Sequence, residues 1–333
     1  MKIETRVHER NLVRWASDKP EVLVFSADLT NSTEIGLFKE TYPDRFYSFG
    51  MTEQNMMSAA GGMAREGFTP FVHTFAVFMY RRALDQIEMS IAYPNLRVRI
   101  LGFLPGITTP GGASHQAIND VGILRTVPNM TILETGDATE VESVLDVAHS
   151  VDGPVYIRQL RGQIPRLFKE PMKLGKCRVL SEGTDLVLLT SGIMTEEALK
   201  ITGAIRKRGV SIEHLHISTH KPFHDERVIE ALSKTKYGVI TMENHTILGG
   251  LGSEVAELMA ENAIGKRLIR IGLQDTYAHG GSKEYLMRYY CLDAMNLVKA
   301  VENLLGEELD ITEADLIEPE LEEIEKSVKP EDL

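Results

Sequence analysis

Cysteine is nearly missing from this chain. Cys177 and Cys291 stand far apart and in no metal or redox spacing. That excludes a disulfide framework and reads as packing in a reducing, cytoplasmic setting. No apolar run approaches the roughly 20 residues of a membrane-spanning helix. The opening Met1-Lys-Ile-Glu-Thr-Arg6 is polar and carries no signal-peptide core. Cationic residues are outnumbered, 36 Lys and Arg against 48 Asp and Glu, and form no basic stripe, so nucleic acid is not an expected partner. A complete phosphate-binding glycine motif is also absent. Gly249-Gly-Leu-Gly-Ser253 lies between a strand and a helix without the full spacing, and a close strand-to-helix turn accounts for its glycines. Four crowded histidines, His214, His216, His220 and His224, lack the cysteine or helical histidine pair that would complete a zinc site.

What is present is an ordinary globular balance with uneven charge. The 333 residues suffice for about two domains. Residues 306–333 carry −10 of the net −12, an acidic tail read as a solvated or surface-wrapping appendage, with partner docking the lesser alternative. Before it, short apolar runs alternate with amphipathic stretches. A helix is expected over 3–17 and strands at 22–26, 45–49, 69–74, 97–103, 130–133 and 154–158, with helices at 53–66, 79–92, 117–126 and 138–149 between them. Asp137 with Glu140 reads as a capping box. Gly and Pro then break the rhythm, and strands at 185–190, 210–217, 237–242 and 267–272 resume it with helices between. The fold class is therefore α/β, with two consecutive parallel-sheet domains at 1–165 and 185–305, a linker at 166–184 and the acidic tail at 306–333.

The chain is organised around Phe49-Gly-Met-Thr-Glu-Gln-Asn55 and the helix of small and Met side chains that follows to Gly67. Thr52 reads as the N-cap, which sets the Glu53 carboxylate at a helix mouth just after a strand. Glu53 is either a charge that favours the helix N-terminus or a functional carboxyl. His115, on the Gly-rich loop Pro105–Gln116, is either a loop anchor or a group for hydrogen bonding and proton transfer. Phe71, Phe75, Phe78 and Tyr80 are either core or a slot for a flat ring.

Taken together, these segments resemble the C-terminal half of the transketolase family of thiamine-diphosphate enzymes. The likeness rests on Ser26-Ala-Asp-Leu-Thr-Asn-Ser32, Gly50-Met-Thr-Glu-Gln-Asn55, Thr74-Phe-Ala-Val-Phe78, Ala83-Leu-Asp-Gln86, Ser114-His-Gln116, Pro128-Asn-Met-Thr131 and Tyr156-Ile-Arg-Gln159. In the second domain, Lys221-Pro-Phe223 and Glu243-Asn-His-Thr-Ile-Leu-Gly-Gly-Leu-Gly252 resemble the family's third domain. The resemblance spans residues 1 to about 305 and implies a pyrimidine-binding domain followed by a transketolase C-terminal-like domain.

The resemblance also implies roles. Glu53 matches the glutamate that contacts N1′ of the cofactor's aminopyrimidine, and Phe75 and Phe78 match the aromatics that stack on that ring. Asp28 falls among the cofactor contacts, and His115 matches the histidine that contacts substrate oxygens. Arg6, Ser32 and Arg158 are similar in position to the phosphate-binding residues, where an arginine fork suits phosphate or sulfonate. Three positions depart from the pattern. Gly111 stands where an Asp is usual, Gly102-Phe103 where a His is usual, and Arg81 where a Tyr is common. The first two point to a modified ketose, branched, deoxy or sulfonated. The family's G-D-G…N motif for magnesium and diphosphate is lacking, since Gly136-Asp137-Ala138 does not supply it. Thiamine diphosphate and Mg2+ would then need a separate N-terminal, diphosphate-binding subunit, in an α2β2 assembly. The expectation is the C-terminal subunit of a split transketolase. Its rivals are a 1-deoxyxylulose-5-phosphate synthase relative, a 2-oxo acid dehydrogenase beta subunit, and a non-catalytic subunit of the same fold. Retention of Glu53, Phe75, Phe78 and His115 together argues for catalysis.

Overall fold

A computed structural model describes residues 2–317 of the chain. They fall into two units. The first comprises the described residues up to Pro105 and the segment Ile123–Met172. The second comprises Gly106–Gly122 and the described residues from Lys173 onward. The Gly-rich loop thus groups with the second unit, across the boundary near 165 that the composition suggests. The acidic tail from Glu318 lies outside the described residues. Its first part packs: Leu309 and Ile311 join the apolar core of the second unit, and Ile317 donates its N–H to the Lys200 carbonyl.

In the first unit, β1 is Lys2–Thr5, α1 Val7–Trp15, β2 Val22–Ser26, α2 Gly36–Thr41 and β3 Phe46–Ser48. Next come α3 Glu53–Arg65, β4 Thr69–Phe75, α4 Ala76–Gln86, a π-helical turn Ile87–Ala92 and β5 Arg99–Phe103. After α5 Asp120–Arg125, the chain continues through β6 Thr131–Glu134, α6 Ala138–Ser150, β7 Val155–Gln159 and β8 Gln163–Arg166. Six strands form a parallel sheet in the order β6-β7-β5-β4-β2-β3. Every residue of β2, β4, β5 and β7 is buried, as a sheet covered on both faces requires. The connection leaving β2 runs outward to β3, whereas the one leaving β4 runs the other way to β5. The carboxyl ends of β2 and β4 therefore flank a topological switch point, where α/β sheets open a crevice.

The expected helix over 3–17 is wrong in its first four residues. Residues 2–5 form β1, which pairs antiparallel with β8, and Glu4 bonds Arg166 at 2.7 Å across 162 positions of sequence. Arg6 has a left-handed φ of 48° and separates strand from helix. Local periodicity carries no trace of so distant a partner. The expected helix over 79–92 is broken: Ala83 leaves helical geometry with φ −127° and ψ 23°, and the π turn follows. That turn lies close on α3 because Gly61 has no side chain; a Cβ there would meet the Ser90 carbonyl oxygen at 2.3 Å. The capping box at α6 is displaced by one residue. Asp137 accepts from the Glu140 N–H at 2.8 Å, but the Glu140 carboxylate reaches the N–H of Gly136 instead of Asp137.

The second unit adds β9 Arg178–Ser181, β10 Leu186–Ser191, α7 Ile193–Lys207, β11 Ile212–Ile217 and the short β12 Thr219–Lys221. It continues through α8 Glu226–Lys234, β13 Gly238–Thr246, α9 Leu251–Glu261, β14 Leu268–Leu273, α10 Lys283–Tyr289 and α11 Ala294–Leu305. Its sheet runs β14-β13-β10-β11-β9, parallel but for the antiparallel edge strand β9. The N-cap of α7 is Gly192 at φ 51°. The glycine stretch is a close turn: a Cβ on Gly250 would fall 2.0 Å from Glu243 Oε2, and one on Gly249 2.8 Å from Gly122 Cα. Three of the crowded histidines have structural partners. His214 bonds Thr190 at 2.9 Å, His216 bonds Thr195 at 2.6 Å, and His220 bonds Glu254 at 3.0 Å.

His8 of α1 and His73 of β4 are fully buried with their Nε2 atoms 3.1 Å apart. Burial pushes His73 down to about 3 and His8 well below its ordinary 6.5. Both stay neutral in the fold, while the unfolded chain takes up their protons as pH drops through 6.5. Each then removes stability as pH falls below 6.5, by up to ~1.4 kcal/mol per pH unit. In the second unit, burial pushes Glu243 up to about 8, which removes stability in the opposite direction, as pH rises from 4.5. Replacing both histidines by Leu should flatten the fall of melting temperature between pH 6.5 and 5. Slopes equal to the parent's would contradict the neutral pair.

Candidate active site

The crevice at the switch point receives its side chains from three places. β3 ends at Ser48, a turn through Gly50 (φ 67°) follows, and α3 begins with Glu53. Thr52 does not cap this helix with its side chain; its hydroxyl donates back to the Phe49 carbonyl at 2.7 Å. Glu53 is only 3% exposed, and its Oε1 accepts from Arg82 Nη1 at 2.9 Å. Phe75 is the last residue of β4 and Phe78 lies in the first turn of α4. Their rings are near-parallel, with centroids 5.8 Å apart and planes at 29°. Arg82, one turn further on, places its guanidinium carbon 4.1 Å from the Phe78 centroid. The structure therefore brings Glu53, Phe75 and Phe78 together, and adds Arg82, which helical periodicity alone did not single out.

Arg6 and Ser32 lie near a second new residue, Arg161. Arg161 donates to the Ser32 carbonyl at 3.0 Å, and its guanidinium carbon stands 5.8 Å from the Phe75 ring. Exposed Arg6 pairs with Glu9 at 3.2 Å. Between them, Glu34 accepts the Gly162 N–H at 2.8 Å. Burial raises its carboxyl above the ordinary range, and that N–H and the Arg161 and Arg6 charges work against the rise. Arg158 is 1% exposed and pairs with Glu134 at 2.6 Å inside the sheet, while Arg161, just past the strand end, stands beside Phe75 and Ser32. Asp28 is exposed after β2 with a left-handed φ of 62°.

His115 belongs to the second unit. A 3-10 turn Gly112–Ser114 leads to it, and its Nδ1 is 2.8 Å from Ser114 Oγ. The loop is fixed at its base by the Ile107 N–H on Asn244 Oδ1 at 2.9 Å and by Gln116 on the Thr109 carbonyl at 3.1 Å. Gly111 matters sterically: a Cβ there would come within 2.8 Å of the His115 Cβ and Cγ.

A buried carboxyl beside two near-parallel rings fits an aminopyrimidine, which needs a flat apolar face and a proton partner for a ring nitrogen. A metal–diphosphate group is another matter. Among the described residues no group of three or more His, Cys, Asp or Glu side chains is placed to hold a metal ion. Asp137 serves the fold, accepting the N–H groups of Glu140, Leu167 and Phe168, each at 2.8 Å. Among the described residues no helix is long and apolar enough to cross a membrane.

Comparison with known proteins finds two family domains in the chain. Residues 2–166 match the transketolase pyrimidine binding domain and residues 175–297 the transketolase C-terminal domain. The chain is 35% identical to a protein of Methanocaldococcus jannaschii named as a transketolase C-terminal section, covering 87% of this chain and 92% of that one. It is 36% identical to a 6-deoxy-6-sulfo-D-fructose transketolase subunit of a Clostridium species, covering 87% and 90%. A 1-deoxy-D-xylulose-5-phosphate synthase of Chlorobium phaeovibrioides is 35% identical, but this chain spans only 45% of it. Among solved structures, a split-gene transketolase in an inactive β4 tetramer superposes with a TM-score of 0.82 at 35% identity, covering 91% of this chain and 98% of that one. Transketolase from Leishmania mexicana shares the fold at 19% identity and a TM-score of 0.76, over 91% of this chain and 46% of that one.

Gly111→Ala should turn the His115 ring away, because the new methyl occupies the space of its Cβ. The expected result is a shifted His115 imidazole NMR signal with a stability change under about 1 kcal/mol, as for other mild loop changes. An unmoved signal would show that the loop tolerates a side chain there.

Proposed function

The chain belongs to the transketolase family, and from that premise we propose that it is the C-terminal subunit of a split, thiamine-diphosphate-dependent transketolase. The reaction is transfer of a ketol (glycolaldehyde) unit from a ketose to an aldose phosphate. The donor is a modified sugar carrying phosphate or sulfonate. The observation that carries this reading is the grouping of buried Glu53 with the Phe75–Phe78 ring pair at the switch point. The diphosphate and Mg2+ are assigned to an N-terminal partner subunit, in a cytoplasmic α2β2 assembly. Two relatives support the split: the protein named as a C-terminal section matches this chain almost end to end, and the split-gene tetramer is inactive as β4 alone.

Thiamine diphosphate supplies the electron sink for breaking the bond beside a ketose carbonyl. The chain's own residues are assigned the rest. Glu53 holds a proton at a pyrimidine nitrogen, in a site from which water is largely excluded. Phe75 and Phe78 orient the ring by stacking. Asp28 is kept among the cofactor contacts. Arg6, Ser32 and Arg158 form the cationic edge that takes the substrate's anionic group, with Arg161 beside Ser32 as a further cation. His115 moves protons at substrate oxygens.

The donor assignment rests on two positions and one relative. Gly111 and Gly102-Phe103 stand where the family pattern has an acid and an imidazole that read hydroxyls, and a homologous subunit is named for a sulfonated fructose. A 1-deoxyxylulose-5-phosphate synthase activity is the second reading, favoured by the synthase relatives at 30–35% identity. The product formed on an aldose phosphate acceptor, with either a ketose or pyruvate as donor, separates the two.

In the assembled complex, Glu53→Ala should lower ketol transfer by at least about a hundredfold, the lower range for loss of a positioned proton-transfer group. An unchanged rate in an intact complex would refute the assignment and leave a non-catalytic subunit as the better reading.

A further inference from the structure

Arg82 occupies the very features that the ring site offers. Its Nη1 holds Glu53 Oε1 at 2.9 Å, and its guanidinium carbon lies 4.1 Å from the centre of the Phe78 ring. A flat ligand ring cannot stack on the face of Phe78 that a guanidinium covers. A ring nitrogen must compete with Arg82 for the Glu53 carboxyl, whose Oε1 accepts from the guanidinium at 2.9 Å. The backbone places Arg82 firmly at this point: its carbonyl accepts from Gln54 Nε2 at 2.9 Å, so consecutive residues at the start of α3 bind its side chain and its main chain. Ala83, the next residue, breaks the helix. Only the guanidinium end is free to leave, since the Arg82 side chain is 47% exposed whereas Glu53 is 2% exposed. Ion pairs and cation–π contacts of such half-exposed groups are individually modest, so they are displaceable.

We propose that Arg82 is a positioning residue that closes the Glu53–Phe78 site against the cofactor's pyrimidine ring and swings out to admit it. The inference rests on the proposed reading of Glu53 and Phe78 as the ring site. It makes the free chain a latched state, in which the carboxyl and the stacking face are kept paired instead of being left bare. Arg82 acts through Glu53 and Phe78 and is assigned no part in the bond-making steps.

The test uses the full chain and the isolated ring, 4-amino-5-hydroxymethyl-2-methylpyrimidine, followed by saturation-transfer NMR and calorimetry. Arg82→Met removes the charge and keeps the apolar stem; Arg82→Gln is the second such variant should the first not fold. Arg82→Lys keeps the charge. The neutral variants should bind the ring about tenfold more tightly than the parent, and Arg82→Lys should stay near it. Binding by the neutral variants that is equal to or weaker than the parent's overturns the latch while leaving the ring site standing. Absence of ring binding in the parent and in every variant overturns the ring site, and the latch with it.

Discussion

The candidate site depends on the order in which the chain visits its first sheet. β2 passes outward to β3, β3 returns beyond β2 to β4, and β4 continues the other way. Parallel strands put all their carboxyl ends on one edge, and the change of direction keeps loops from closing over the gap between β2 and β4. At that edge of the sheet the chain sets Glu53 at the start of the helix after β3 and Phe75 at the end of β4. A carboxylate buried there needs a partner, and Arg82 supplies it from the next helix. The apolar strands around it, buried on both faces, hold these positions rigid.

The second unit carries its polar groups differently. Glu243 and His245 at the end of β13, Glu254 at the start of α9 and His220 of β12 are all buried. The Gly252 N–H on Glu243 Oε1 at 3.0 Å and the His220–Glu254 pair tie the group together. Gly250 and Gly252 are required beside it because a Cβ at either would strike the Glu243 carboxylate. The same unit holds the Gly-rich loop through Asn244 and Gln116, and so sets the base from which His115 projects.

Much of this is legible in the sequence. Apolar runs of four to six residues between amphipathic stretches mark most strands and helices to within a few residues, because burial on two faces leaves a plain hydrophobic signal. The β1–β8 pairing is not legible, since neither strand has a pattern of its own and the two meet across 162 positions. The carboxyl and aromatic members of the site are legible by type and order, Glu53 before Phe75 and Phe78. Arg82 is not, because periodicity places it on a helix but does not tell which carboxylate that helix will face. Arg158 and Arg161 differ by three residues, and the difference between a buried sheet arginine and a loop arginine turns on where β7 stops, the least certain feature of any strand read from sequence. Thr52 has the composition of a helix cap, yet its hydroxyl satisfies Phe49.

We propose that this chain supplies the ring-binding half of a thiamine-diphosphate site and that a partner subunit supplies the diphosphate half. Calorimetry of thiamine diphosphate with Mg2+ tests it most directly, first on this chain alone and then on the chain mixed with a diphosphate-binding subunit. The account predicts tight binding in the mixture and none of comparable strength by the chain alone. Tight binding by the lone chain, or its failure in an assembled mixture, would contradict it.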